Sequence, residues 1–120
     1  MSTSYPRPWN WSAQPRPQRL AEWHTAPDQL GFYEIGYFDG GFEALYGGRA
    51  AGTTLRQRLR EHYLYSHNAN IRRQRHEVWF RFKVFRSKAE AMFVEAVQIA
   101  AFDYPWNDRN EWSSHWALHR

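Results

Sequence analysis

Residues 77–85, Glu-Val-Trp-Phe-Arg-Phe-Lys-Val-Phe, alternate. Val78, Phe80, Phe82 and Val84 fall on one side and Trp79, Arg81, Lys83 and Phe85 on the other, the period of two that lays one face of a strand on a core. Upstream, residues 31–38 and 42–46 form two runs rich in β-formers around Asp39-Gly40-Gly41. That tripeptide supplies the positive φ of a tight turn, so the pair reads as a hairpin. Gly47-Gly48 ends its second arm and lets the backbone pass close to another group. Between hairpin and alternating strand the period changes. Leu55, Leu59 and Tyr63 recur at i, i+4 and i+8, a helix with Thr53 or Thr54 as N-cap that ends near Ser66-His67-Asn68. Arg58 and His62, also i and i+4, share a different face of it. The Arg72-Arg73-Gln74-Arg75 stretch reads as a polar, basic loop. Ser87-Lys88-Ala89-Glu90 is a capping box, and the helix it opens runs to about Phe102. Met92, Phe93, Ala96, Ile99 and Ala100 are expected as its buried stripe. Asp103-Tyr104-Pro105-Trp106-Asn107 is a loop stopped by proline, and residues 110–119 suit a short final helix. The order β-β-α-β-α predicts an α/β (α+β) domain with a mixed three-stranded sheet flanked by helices.

Residues 1–28 are patterned differently. Five of the six prolines fall there, interleaved with Arg7, Arg16, Arg19, Trp9, Trp11 and Trp23. Proline at that density excludes helix interiors and central strands, so the expectation is an extended arm with one helical turn at 19–23, followed by the domain at 29–120. The indoles need a surface: this domain, a second copy (an oligomer through the arm), or the bases of a single strand.

Composition narrows the function classes. There are no cysteines among the 120 residues, which excludes disulfides, thiolate zinc sites and cysteine nucleophiles. No apolar run approaches the ~20 residues of a bilayer span, and the N-terminus lacks a signal-like apolar core, so no membrane partner and a cytoplasmic location are expected. Fourteen of the 16 cations are arginine, the residue that grips phosphate in a bidentate fork. Eleven cations against two acids leave residues 49–88 at +9 and the rest of the chain at −5. A concentrated basic middle suits a polyanion, nucleic acid being the commonest. Arg49, Arg56, Arg60, Arg72, Arg73 and Arg75 are the candidate nucleic-acid contacts.

The hairpin carries Gly31-Phe32-Tyr33 on its first strand and Tyr46-Gly47-Gly48 on its second. This resembles the two-part Gly-Ile-Tyr and Tyr-Ile-Gly signature of the GIY-YIG nuclease family, with Phe32 and Gly47 departing from the name residues. The predicted element order also matches the family's fold. The family has an arginine on the first helix before a large apolar residue, here Arg58-Leu59; some homing and restriction endonucleases in it have a histidine one turn on, here His62. It has a glutamate on the next helix and an asparagine twelve residues later, here Glu95 and Asn107. The resemblance covers about residues 30–111. The interval from Tyr46 to Arg58 is a couple of residues longer than the family pattern, which leaves Arg56 as an alternative to Arg58.

The resemblance implies an endonuclease that depends on Mg²⁺ or Mn²⁺, held by Glu95, with no small-molecule cofactor. Its implied catalytic set is Tyr33, Tyr46, Arg58, His62, Glu95 and Asn107. Within it Arg58 grips the scissile phosphate, Tyr46 or His62 activates water, Tyr33 orders the site and Asn107 fixes the final loop. DNA is the expected polymer. The alternative is a nucleic-acid-binding module that kept the fold without the chemistry. His115 and His119 also have a metal-compatible i, i+4 spacing, but no third ligand lies near them in the sequence.

Overall fold

The computed structural model describes Trp11 and residues 14–107. In chain order the elements are β1 (Gln18–Arg19), a 3-10 turn over Leu20–Thr25, β2 (Gly31–Phe38), β3 (Phe42–Ala50), α1 (Leu55–Tyr65), α2 (Ala69–Gln74), β4 (Trp79–Val84) and α3 (Lys88–Ala101). The expected β-β-α-β-α order is present, with β1 and α2 added to it. The sheet, expected as three-stranded and mixed, has four strands in the order β1-β4-β2-β3, and every neighbouring pair is antiparallel. The reason is where the crossover lands. β3 and β4 run the same way, as a helical connection between them requires, but β4 passes over β2 and pairs with its far edge. β3 is therefore left as an edge strand.

Local chemistry accounts for the element ends. Gly40 takes φ 78° in the hairpin turn, a region closed to most side chains. Thr54 caps α1 by accepting from the Gln57 amide, and Ser87 caps α3 by accepting from Glu90. Residues 72–75, expected as loop, lie largely within α2. The Asn68 side chain caps it by accepting from the amides of Asn70 and Ile71, and Ile71 is its single buried anchor.

The segment expected as an arm carries a second difference. Gln18 and Arg19 pair with Phe80 and Trp79, the Leu20 amide bonds the Val78 carbonyl, and Leu20 and Ala26 are fully buried. The helical turn expected at 19–23 is the 3-10 turn. Residues 18–26 thus pack on the domain's own sheet and core. Residues 1–10, 12 and 13, and the expected helix at 110–119 with His115 and His119, lie outside the described residues.

β2 is covered on both sides, which is why its first six residues are all buried. On one side Tyr33, Ile35, Phe80 and Phe82 pack with Leu20, Leu55, Leu59 and Ile71. On the other Phe32 packs with Phe85, Ala91, Val94 and Tyr104. The stripe expected for α3 is on the wrong side of the helix. Ala91, Val94 and Gln98 face the sheet, whereas Met92, Phe93 and Ile99 are exposed, Phe93 by 68%. The helix is apolar nearly all round, so periodicity leaves its phase open; the observed phase turns Gln98 inward, where its amide donates to the buried Tyr104 hydroxyl. Among the described residues no helix is long and apolar enough to cross a membrane.

Candidate active site

The register of β2 and β3 sets Tyr33 opposite Gly48 and Ile35 opposite Tyr46. Cross-strand neighbours share a face, so both tyrosines stand on the α1 side. Their rings stack at 6.3 Å and 27°. The two glycines explain how other rings crowd this strand. A Cβ at Gly48 would lie 2.6 Å from the Tyr33 hydroxyl, and one at Gly47 would lie 2.6 Å from the Tyr104 ring. Successive glycines thus let one tyrosine close on β3 from each face.

α1 lies over the paired tyrosines. The His62 ring is 5.4 Å from Tyr33 and 5.1 Å from Tyr46, edge-on to both. His62 Nε2 is 2.6 Å from the Tyr33 hydroxyl and Nδ1 is 3.3 Å from Ser66 Oγ. His62 is only 7% exposed. Burial, then the nearby Arg58 cation and then His67 lower its pKa to about 3, so the imidazole is neutral. The Tyr33 hydroxyl is held well above its ordinary value, first by burial and then by Tyr46, against the opposing pull of Arg58. Tyr33 therefore stays protonated and donates to Nε2, which assigns the imidazole proton to Nδ1 and makes it a donor to Ser66.

Arg58 sits one turn before His62. Tyr33, ahead of the opposing effect of burial, raises its pKa further. Its side chain is 37% exposed, with Nη1 donating to Glu61 at 3.0 Å. Arg56, the alternative, turns away and donates to the Ala26 carbonyl at 2.9 Å. Arg58 is thus the arginine that stands at the tyrosines.

Glu95 projects from α3, which packs against the other face of the sheet, and pairs with Arg49 of β3. Its carboxylate is within electrostatic reach of the Tyr33 hydroxyl, which it helps to hold up. Among the described residues no group of three or more His, Cys, Asp or Glu side chains that could hold a metal comes together. Asn107 clamps the edge of β3. Its Oδ1 accepts from the Gly47 amide and its Nδ2 donates to the Gly47 carbonyl, both at 3.0 Å, while the Trp106 amide bonds the Leu45 carbonyl. The closing loop thereby takes up backbone groups that an edge strand would leave unpaired.

The other candidate cations spread along α1 and α2. Arg60 lies over Trp23, Arg72 donates to the Ser66 carbonyl, Arg73 to Asn70 and Arg75 to the Tyr63 carbonyl. The structure does not bring them into the tyrosine cluster, although Arg72 braces the residue that holds His62. Two features escaped the sequence reading. Ser66 orients His62, signalled only by its i+4 spacing. Glu34 is buried and accepts from Arg81 Nε at 2.8 Å and from the Tyr104 hydroxyl at 2.6 Å, and Gln98 joins through Tyr104. A carboxylate within an apolar strand run was the available signal, because it demands a buried partner.

No family model and no curated protein matches the sequence. Solved structures do match. The GIY-YIG N-terminal endonuclease domain of UvrC from Thermotoga maritima, bound to its catalytic divalent cation magnesium, is 25% identical over 76% of this chain and 98% of its own, with a TM-score of 0.60. A tyrosine-to-phenylalanine variant of that domain, also bound to its catalytic divalent cation, is 26% identical over 74% of this chain and 93% of its own, with a TM-score of 0.59. This chain is thus similar in fold to the GIY-YIG endonuclease domain of UvrC, and it carries paired glycine-tyrosine strands with an arginine and a histidine beside them.

Proposed function

We propose that the protein is a divalent-metal-dependent endonuclease that hydrolyses phosphodiester bonds of nucleic acid, with DNA as the expected polymer. The observation that carries this reading is the assembly of Tyr33, Tyr46, Arg58 and His62 on one face of a glycine-thinned edge strand, with the Glu95 carboxylate coming from the other. Arg58 is charged and part exposed, and its guanidinium is free to turn from Glu61 to a phosphate, where it neutralises charge growing on the non-bridging oxygens. Tyr46, the less buried of the two tyrosines, takes the proton of the attacking water. His62 is a positioning residue and not the base: it is buried, neutral and engaged through both nitrogens, and it holds Tyr33 in register. Asn107 fixes the closing loop on β3 beside the site.

The donor set fits a hard divalent cation. Mg²⁺ and Mn²⁺ accept a single carboxylate and complete their coordination with water and substrate phosphate, and Glu95 offers partly exposed carboxylate oxygens in a chain that has no thiolate. When bound there, the cation polarises the phosphate and stabilises the departing alkoxide.

Labelled single- and double-stranded DNA and RNA, incubated with the protein in Mg²⁺ and in EDTA, test the reading. Cleavage in Mg²⁺, none in EDTA, and none by Glu95→Gln despite retained binding are expected. Binding without cleavage of any substrate in Mg²⁺ or Mn²⁺ would mean a binding module that lost the chemistry. A normal rate in Glu95→Gln would remove Glu95 from the site.

A further inference from the structure

We infer that Arg49 is the resident counter-ion of the metal carboxylate, so that metal entry releases a phosphate-binding arginine; this rests on the reading of Glu95 as the metal holder. Arg49 Nη1 contacts Glu95 Oε1 directly, a pair that joins β3 to α3 across 46 residues of chain. The pair is partly open, with Arg49 40% and Glu95 20% exposed at the side chain, so a hydrated cation can reach the carboxylate without the core opening. A carboxylate can serve a guanidinium and a cation through different oxygens. At Oε1, the oxygen that Arg49 holds, the two positive charges would repel at contact distance, so a cation that takes Oε1 displaces Arg49.

The displaced side chain has an evident second use. Arg49 stands on the edge strand one residue from Gly48; its side chain lies on the α3 side with Glu95, while Gly48 brings the Tyr33 hydroxyl up to β3 on the α1 side, so the open edge of β3 separates the two. In the metal-free pair the charges of Arg49 and Glu95 cancel. With the carboxylate occupied by a divalent cation, the cation and the freed guanidinium both present positive charge to an incoming phosphate. Metal and nucleic acid then bind cooperatively, each raising the affinity for the other by the same factor. Arg49 in this account couples loading of the site to grip on the substrate.

Mn²⁺ titration of the protein without nucleic acid, followed by electron paramagnetic resonance of the free ion, tests this directly. Arg49→Gln removes the competitor and is expected to bind Mn²⁺ about twofold to fivefold more tightly than the wild type, the upper part of the range for losing a partly exposed charge pair. Lys83 separates competition from general charge. It faces Phe32 from β4 as Arg49 faces Phe32 from β3, so it lies in the same cross-strand row, roughly two strand spacings (~10 Å) away. Lys83→Gln removes the same charge and is expected to change Mn²⁺ affinity less than twofold. Oligonucleotide binding in an Arg58→Ala background, which blocks turnover, supplies the second readout: added Mn²⁺ should strengthen it, and Arg49→Gln should abolish most of that gain. Equal or weaker Mn²⁺ binding by Arg49→Gln, or an equal tightening by Lys83→Gln, overturns the counter-ion role while leaving Glu95 as the holder. Mn²⁺ binding that Glu95→Gln does not weaken overturns both.

Discussion

Protonation of His62 should destabilise the protein in mild acid, by an amount that follows from its surroundings. The imidazole is buried and accepts from Tyr33, and its pKa lies at about 3 against about 6.5 in an unfolded chain. The folded state therefore binds fewer protons than the unfolded state between those values, and stability falls as the pH drops through the unfolded value. The stabilisation is complete above about pH 7. Below 6.5 it is lost at about 1.4 kcal/mol per pH unit until the folded group itself titrates. Between pH 7 and pH 5 the loss from this one group is about 2 kcal/mol, and because the folded value lies well below 5 the figure depends on the unfolded value alone. His62→Gln isolates it: the amide oxygen can accept from Tyr33 and the amide nitrogen can donate to Ser66, but the side chain does not titrate. Urea denaturation of both proteins at pH 7, 6 and 5 gives the difference, in which carboxylates common to both cancel. The wild type should lose about 2 kcal/mol more than the variant over that interval. Equal losses would mean that His62 is protonated, or wet, in the folded state, and the donor from Tyr33 would have to be reassigned.

Three further predictions follow from the packing and charge around the site. Arg58→Ala should lower the cleavage rate by on the order of 10²–10³, whereas Arg60→Ala should weaken binding and reduce its salt slope by about one ion; equal effects in parallel kinetics would make Arg58 ordinary surface charge. Gly48→Ala places a Cβ 2.6 Å from the Tyr33 hydroxyl and should cost about 1–3 kcal/mol by urea denaturation as well as activity. Gly41→Ala, with nothing within 4 Å, should leave both unchanged, and a tolerated Gly48→Ala would show that Tyr33 can yield. Leu20→Ala should cost about 2–5 kcal/mol, since Leu20 is fully buried; an unchanged denaturation midpoint would show that the 18–26 segment contributes nothing to the core.

The candidate site was nominated by chain order. A glycine-aromatic-tyrosine strand, a tyrosine-glycine-glycine strand, an arginine before a leucine, a histidine one turn on, then glutamate and asparagine twelve residues apart were all readable, because each is a local pattern or a simple interval. Spacing could not choose between Arg56 and Arg58. That was settled by the Ala26 carbonyl, which takes up Arg56, a contact supplied by a segment 30 residues upstream. Nor could spacing choose between Tyr46 and His62 as the proton acceptor. What bears on that choice is the burial of His62 and Ser66, which engages its second nitrogen. Arg49 was legible as a cation but not as the partner of Glu95, because nothing local relates a strand residue to one 46 positions on.

The same division runs through the fold. Caps, turn and alternating strand follow from interactions within a few residues, so the sequence alone placed the hairpin turn, the ends of α1 and α3 and the buried side of β4; β3, expected to stop at Gly47-Gly48, instead runs through both glycines to Ala50 because β2 pairs with it along that whole length. β1 has two residues and α2 six, too short for any period to declare itself; β1 exists because β4 offers a free edge, and α2 because Ile71 finds a cavity over α1 and the sheet. The phase of α3 was undetermined by a pattern apolar on every side. Tertiary structure decided it: Ala91, Val94 and Gln98 lie inward, Gln98 donates to the buried Tyr104 hydroxyl, and this phase carries Glu95 to Arg49 of β3.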